Sequence, residues 1–505
     1  MVENSNALTW GRAMSDANAT GASGDVKVSD KPAAPLEKPR FNSDRLRHRL
    51  RNIGAAIASV AAIGAVLGGL TGYWNAWKVI NNDLLQIRPH SETAAGLTIS
   101  KGPSVAALPI SNPEKVTVLD PIADTMTQQL VSSLGKFSLL RVTPRATAAN
   151  LARHDDTIET ARKAGVDDLV TGEVRPLGEG ARANVVVADL RSGAEIWSKS
   201  FDASAEGVRT GTDAYEIGDT AAALISSAID QGEYKKIQNK PVAELNSYEC
   251  IIQSRVGSWV GSQSAGLKAL ACSKRLTENE PNNPLAWSGR ATVLDVQRFF
   301  GFGLAPDAVQ HFDKRLYLNE EMLRAATRAV DLAPDDADVR RTFAVAIGSK
   351  CQVDLFRQEI QKAVALNPND PTTLGELGPL LAFMGDWDDG SALAEKAIRL
   401  AGSNAAYHWW LAPAKRHWWR GEYQPALEDF LHSYLEGFWL SHLDQAYTLP
   451  FLGRLDDAKA QVAKLLKLWP DFTIREADAL YRMYCFQPEY IERMNGSLRK
   501  AGLPE

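Results

Sequence analysis

A period of 34 residues runs through the second half of the chain and constrains its fold more than any other feature. Pro334 and Pro368 stand one period apart, the next two steps fall on Gly402 and Glu436, and the following one lands on Pro470. Ala329, Ala363 and Ala397 keep the same step, as do Leu332, Leu366 and Leu400. This is the length of a helix–turn–helix unit, which cannot bury its apolar face alone and must stack on its neighbours. Leu374-x2-Leu377-Gly378-x2-Leu381 supplies the large and small positions of a first helix, and Gly453-x4-Ala458 with Leu465 and Pro470 those of a second. Ala344, Gly378 and Ala446 are small where two helices must cross closely, and proline ends the second helix without losing a needed N–H. The unit around Gly421, Ala426 and Phe430 slips by two residues. The step from Pro281 to Pro334 is one period with 19 residues to spare, which predicts a loop-like insertion at Arg298–Pro306. The spacing predicts about six helical pairs over 245–470, capped by 471–505.

A chain of 505 residues with 45% apolar and 23% charged residues is neither a disordered tail nor a polytopic transporter. The net charge of −5 gives no global drive toward nucleic acid, and no nucleic-acid partner is expected. Four cysteines, none in a CxxC pair, exclude a zinc ribbon and a thioredoxin-type motif.

Residues 1–51 carry linker-like Ala, Asn, Ser, Gly and Pro runs and then a basic flank (Arg40, Arg45, Arg47, Arg49, Arg51). They read as a disordered cytoplasmic arm. From Asn52 to Trp77 no residue is charged, and Tyr73, Trp74 and Trp77 close the run as an interfacial belt. The stretch is long enough for one transmembrane helix, and the basic flank orients the N-terminus to the cytoplasm and residues 78–505 to the periplasm of a bacterium. Gly64, Gly68 and Gly72 place a smooth strip on one face of that helix, a candidate packing surface for a homodimer. The abundance of small residues throughout the segment is the competing explanation.

Residues 78–101 read as linker, and 102–232 as a small α/β domain. The expected strands are Ser104–Ser111, Phe137–Val142, 168–175, 181–190 and 194–201, the last three joined at Gly178-Glu-Gly180 and Arg191-Ser-Gly193. Helices are expected at Ile122–Leu134, Thr157–Ala164 and about Tyr215–Ile229. Gly178-x-Gly180 links strand to strand and is no phosphate loop. His154, Asp155 and Asp156 sit at a helix start, where aspartate serves as a cap.

Ser104-Val-Ala-Ala-Leu-Pro-Ile-Ser-Asn, Leu130-Val-Ser-Ser-Leu-Gly-Lys-Phe137, Arg141-Val-Thr-Pro-Arg145, Val166–Arg175 and Gly193-Ala-Glu-Ile-Trp197 together resemble the TolB-N-terminal-like (FlgO-like) domain. The 34-residue units resemble tetratricopeptide repeats, and Leu498–Glu505 resembles the tail of the same group: membrane-anchored adenylate cyclase-like and CadC-like signalling proteins of bacteria, especially rhizobia. The resemblance covers roughly four fifths of the chain. In such relatives a cyclase or winged-helix domain precedes the membrane helix. The fifty residues that stand there in this sequence are too few for either, so the output domain is expected to be absent.

His408-Trp-Trp and His417-Trp-Trp form the densest aromatic stretch. The two histidines fall on opposite faces of a helix and cannot share a metal there. Trp409, Trp418 and Trp419 exceed what one helix anchor position needs, which makes them candidate partner contacts on a concave face; core packing is the other reading. Phe299, Phe300 and Phe302, set among Gly301 and Gly303, are candidates for a hydrophobic contact loop, or else pack onto adjacent repeats. Cys250 and Cys272 lie near facing helices, with buried free thiols as the expected state and a disulfide as the alternative. No GxSxG, P-loop or HExxH motif is present, and no catalytic residue, cofactor or metal site is expected.

The sequence therefore predicts an α+β protein: a small α/β TolB-like domain, then an all-α tetratricopeptide-repeat solenoid, behind one N-terminal transmembrane helix. The expected role is a non-enzymatic periplasmic scaffold or adaptor that binds other proteins. The alternative is a transmembrane regulator acting through its short cytoplasmic arm.

Overall fold

The computed structural model describes residues 102–402 and 405–505, all within one compact unit. The arm (1–51), the apolar segment 52–77 with Gly64, Gly68 and Gly72, and the linker 78–101 lie outside the described residues. Among the described residues no helix is long and apolar enough to cross a membrane. The molecule is mostly helical with one small sheet.

The N-terminal part begins with β1 (Ser104–Ala107), α1 (Asp120–Leu134), β2 (Arg141–Val142), α2 (Arg145–Leu151) and α3 (Thr157–Lys163). The meander β3 (Asp168–Leu177), β4 (Gly180–Asp189) and β5 (Ala194–Ala203) follows, then α4 (Ala205–Thr210) and α5 (Thr212–Ile237). Strand order is β2-β1-β3-β4-β5; β1 runs parallel to both its neighbours, and the meander is antiparallel. Ala181, Ala183, Val185 and Val187 alternate inward along β4 and pack with α1 and α5 on one face. The helices α2 and α3 cover β1 and β3 on the other face through Leu151, Ala161 and Leu169.

Several local expectations change here. The first two strands are shorter than their apolar runs, because pairing partners exist only for Ser104–Ala107 and Arg141–Val142, with a single further bridge at Ser111. The helix expected to end near Ile229 continues to Ile237 because Tyr234 and Ile237 are buried against the first repeat. Asp156 accepts from the Glu159 amide and caps α3, as its position suggested.

The C-terminal part stacks helical pairs: α6 (Ser247–Arg255) with α7 (Gln263–Asn279), and α8 (Pro284–Phe300) with α10 (Leu318–Leu332), α9 (Pro306–Gln310) lying between them. Next come α11 (Ala337–Gly348) with α12 (Val353–Leu366), and α13 (Pro371–Phe383) with α14 (Trp387–Ala401). The last pairs are α15 (Leu411–Arg420) with α16 (Tyr423–His432), α17 (Trp439–Thr448) with α18 (Leu455–Leu468), and α19 (Ile474–Met483) with α20 (Pro488–Ala501). The 34-residue step reappears in the caps: Asp336 and Asp370 each accept backbone amides at the start of a first helix. Gly378 and Gly390 set the closest approach. A Cβ on Gly378 would lie 2.6 Å from the Gly390 carbonyl oxygen, and one on Gly390 would lie 2.3 Å from the Ala382 nitrogen.

The insertion falls later than expected and is not a loop around the phenylalanines. Phe299 and Phe300 complete α8, which Gly301 ends at φ +76°. The inserted segment 301–317 is pinned by buried Arg315, which donates to the carbonyls of Ala308, Arg298, Phe299 and Val309. It then crosses to the far end of the array. Phe312 packs on Trp439 and Trp469, and Glu476 accepts from the Phe312 amide at 3.1 Å. A disulfide between Cys351 and Cys485 ties the α11–α12 turn to the α19–α20 turn. The stack thus curls until its second pair touches its last.

Candidate functional site

Curling brings the first helices of the pairs around a common interior, where two cavities meet. The larger, about 290 Å³, is walled by α5 and the α1–β2 connection on one side and by α6, α11, α13 and the segment before α15 on the other. The smaller, about 130 Å³, is overwhelmingly apolar, walled by Phe299, Leu380, Phe383, Tyr407, Tyr484 and Phe486 among others. Trp259, Glu376 and His408 belong to both walls.

Charges of alternating sign run across the larger cavity. Asp230 on α5 faces Arg255 on α6 at 3.3 Å, Arg255 meets Asp338 on α11 at 3.0 Å, and Asp338 meets Arg341 at 2.6 Å. Arg341 pairs in turn with Glu376 on α13. This chain joins the sheet-bearing part to the first, third and fourth helical pairs. Burial works against the charge of Asp338, yet Arg255 and Arg341 hold its carboxyl down at about 2. Burial pushes Asp230 up to about 6 against the pull of Arg255, with Asp338 and Glu233 adding to the rise. Burial also raises Glu376. Oδ1 of Asp230 and Oδ1 of Asn367, both on nearly fully buried side chains, have no protein hydrogen-bond partner. Both ring nitrogens of His408 are likewise unpartnered, and burial lowers the imidazole to about 4, leaving it neutral. Its ring stacks on Trp259 with centroids 5.6 Å apart and planes within 8°.

Lys415 touches the apolar cavity but is spoken for. Its Nζ donates to Asp444 at 2.7 Å, Tyr481 at 2.8 Å and Tyr447 at 3.0 Å, all buried. The tyrosine hydroxyls of 447 and 481 donate to the same Asp444 oxygen.

The aromatic candidates read from sequence are distributed through the interior rather than along a partner-facing surface. Trp418 is fully buried between Tyr447, Tyr490 and Phe451. Trp409 is buried against Leu224 and Leu374, its indole lying where a Cβ on Gly375 would be. Phe302 is buried against Gly266. For these three the expectation of an exposed contact is overturned, since a surplus of aromatics over one solenoid layer is absorbed when the layers close on each other. Trp419 is half-buried, stacked on Trp387 with the Arg493 guanidinium 5.4 Å from its ring. Phe299 and Phe300 are half-buried and meet edge to face at 4.8 Å. Cys250 and Cys272 form a disulfide with Cα atoms 5.1 Å apart, not the free thiols expected. Among the described residues no group of histidine, cysteine or carboxylate side chains is arranged to hold a metal.

The cavity charges were missed by the sequence reading. A signal was available: Glu376 and Asp444 lie two periods apart, both inside otherwise apolar first helices. Charge at a repeated interior position is costly unless paired.

Together, curled helical pairs, a sheet-bearing module packed against them and a common interior define a helical-repeat protein. No family model matches the chain. Over 255 residues, half of its length, it is 22% identical to a protein of Rhizobium meliloti (strain 1021) named "Putative adenylate cyclase 3". The match spans 41% of that protein's length. Among solved structures, a tetratricopeptide repeat protein from Parabacteroides merdae ATCC 43184 is similar over 50% of this chain and 91% of its own, at 17% identity and a TM-score of 0.30. TolB from Acinetobacter baumannii is similar over 26% of this chain and 28% of its own, at 15% identity and a TM-score of 0.19.

Proposed function

We propose that the chain is a non-enzymatic, membrane-anchored recognition module of a bacterial signalling or envelope complex. Residues 52–77 would form the single span and the described residues would lie in the periplasm. The observation that carries this reading is the array itself: seven helical pairs stacked between Ser247 and Ala501, the architecture on which repeat proteins build extended binding surfaces. Two disulfides support an oxidising compartment. Its partners are other proteins, and a homodimer through Gly64, Gly68 and Gly72 belongs to the same reading.

The second reading, a transmembrane regulator acting through residues 1–51, is favoured by one feature. The charge chain from Asp230 to Glu376 couples the module that follows the proposed span to the array interior. Deleting residues 1–40 abolishes the phenotype under this second reading and leaves it intact under the first.

Topology and activity can be tested directly. A reporter active only in the periplasm should be active when fused after Pro89 and silent before Arg45; the reverse pattern overturns the arrangement. A photocrosslinker at exposed Tyr317 or Leu431 should capture a defined partner in intact cells. Conversion of ATP to a cyclic product by the purified chain would overturn the non-enzymatic reading.

A further inference from the structure

The interior cavities ask for a ligand of their own, independently of any protein partner. They share Trp259, Glu376 and His408 as wall residues, so a polar and an apolar cavity adjoin. An apolar space of roughly 150 Å³ accommodates one benzene-sized ring. The smaller cavity, about 130 Å³, is of that size.

The polar end specifies the other half of the molecule. Two of its unmet groups on nearly fully buried side chains, Oδ1 of Asp230 and Oδ1 of Asn367, are acceptors and call for a donor, and the Trp409 indole N–H in the same wall is an unmet donor. Carboxylates outnumber cations in this wall: Asp230, Asp338, Asp370 and Glu376 face Arg255, Arg341 and Lys136. The raised carboxyls of Asp230 and Glu376 agree, since a buried acid held above its ordinary range is stabilised by an arriving positive charge. The stacked Trp259–His408 pair lines both cavities, and an indole ring is an attractive neighbour for a cation.

We infer that the paired cavities bind a small organic cation, a protonated amine joined by a short chain to one aromatic or branched apolar body. The ammonium donates to Asp230 and Asn367, and the body fills the space walled by Phe299, Leu380 and Phe383. Binding involves no covalent step.

The test is calorimetry on the purified full chain with 2-phenylethylamine as probe, beside 3-phenylpropanoate and 2-phenylethanol. Saturable one-to-one binding of the amine is expected, at least about tenfold tighter than the acid or the alcohol, together with quenching of tryptophan emission. Asp230→Asn should weaken the amine about tenfold. Leu380→Trp, which fills the apolar end and leaves every charge in place, should abolish binding with the circular dichroism unchanged. The inference is overturned if the amine fails to saturate at millimolar concentration, if the acid or the alcohol binds as well, or if both variants bind like the parent. These outcomes leave the topology and crosslinking results untouched.

Discussion

The sheet-bearing part and the far end of the array solve burial in opposite ways. Around the meander the core consists of small and branched residues, Val170, Val185, Val187, Ala222 and Ile225, held by strands that tight turns bring together. In the last three pairs it consists of rings packed largely edge to face, Trp418, Tyr447, Tyr481 and Tyr490, with a buried Lys415–Asp444 pair among them. Its fastening contacts join residues far apart in the chain: Phe312 to Trp439, His311 to Glu476 at 2.8 Å, and Arg298 to the Met483 carbonyl at 3.4 Å. A plain solenoid depends only on neighbouring repeats. This one is also closed by its inserted segment, so its far end should unfold as one unit with the second pair.

The sharpest way to break the contrast is Lys415→Met, which leaves Asp444 buried without its cation. A loss of about 3–5 kcal/mol in urea unfolding is expected, and Lys415→Met with Asp444→Leu should recover most of it. Recovery by the double variant separates charge from shape. If the single variant costs under about 1 kcal/mol, water reaches the pair and the far end is looser than described.

Next in size is the closure itself. Replacing Cys351 and Cys485 with serine should cost roughly 2–4 kcal/mol, and more than the same change at Cys250 and Cys272, whose loop is shorter. The Cys351/Cys485 variant should also split the unfolding transition, releasing the last pairs before the sheet. Equal effects of the two changes, with a single transition retained, would mean that packing alone closes the array.

The smallest effect sharpens the other side of the comparison. Asp168 on β3 is buried, and burial together with the charge of Asp189 raises its carboxyl to about 7. Between pH about 4 and about 7 the folded group holds a proton that the unfolded group has lost, so stability falls as pH rises through this window. Asp168→Asn should therefore gain about 1 kcal/mol at pH 8, roughly 2–4 °C in Tm, and little at pH 5. Melts of both proteins at the two pH values decide it; an equal gain at both would remove the titration from the account.

Much of the local structure was legible without coordinates. The hairpin at Gly178–Gly180, the cap at Asp156, the helix closing at Gly135 and the repeated helix ends at Leu332 and Leu366 all depend on neighbours a few residues away. Turn chemistry, capping and helical period are short-range physics, and a sequence states them directly. The aromatic surplus was legible as composition but not as place: Trp409 and Trp418 could be core or contact until the direction of curling was known.

What the sequence by itself determined was a mostly helical chain in 34-residue pairs behind a small sheet, because periodicity and turns act within one unit. Tertiary structure alone decided that the array closes, that Cys351 meets Cys485 across 134 residues, and that Asp230 joins Arg341 and Glu376 through Arg255 and Asp338. The physical reason is that small rotations between successive pairs accumulate. No single repeat encodes the sum, yet it determines which buried charges and rings face one another.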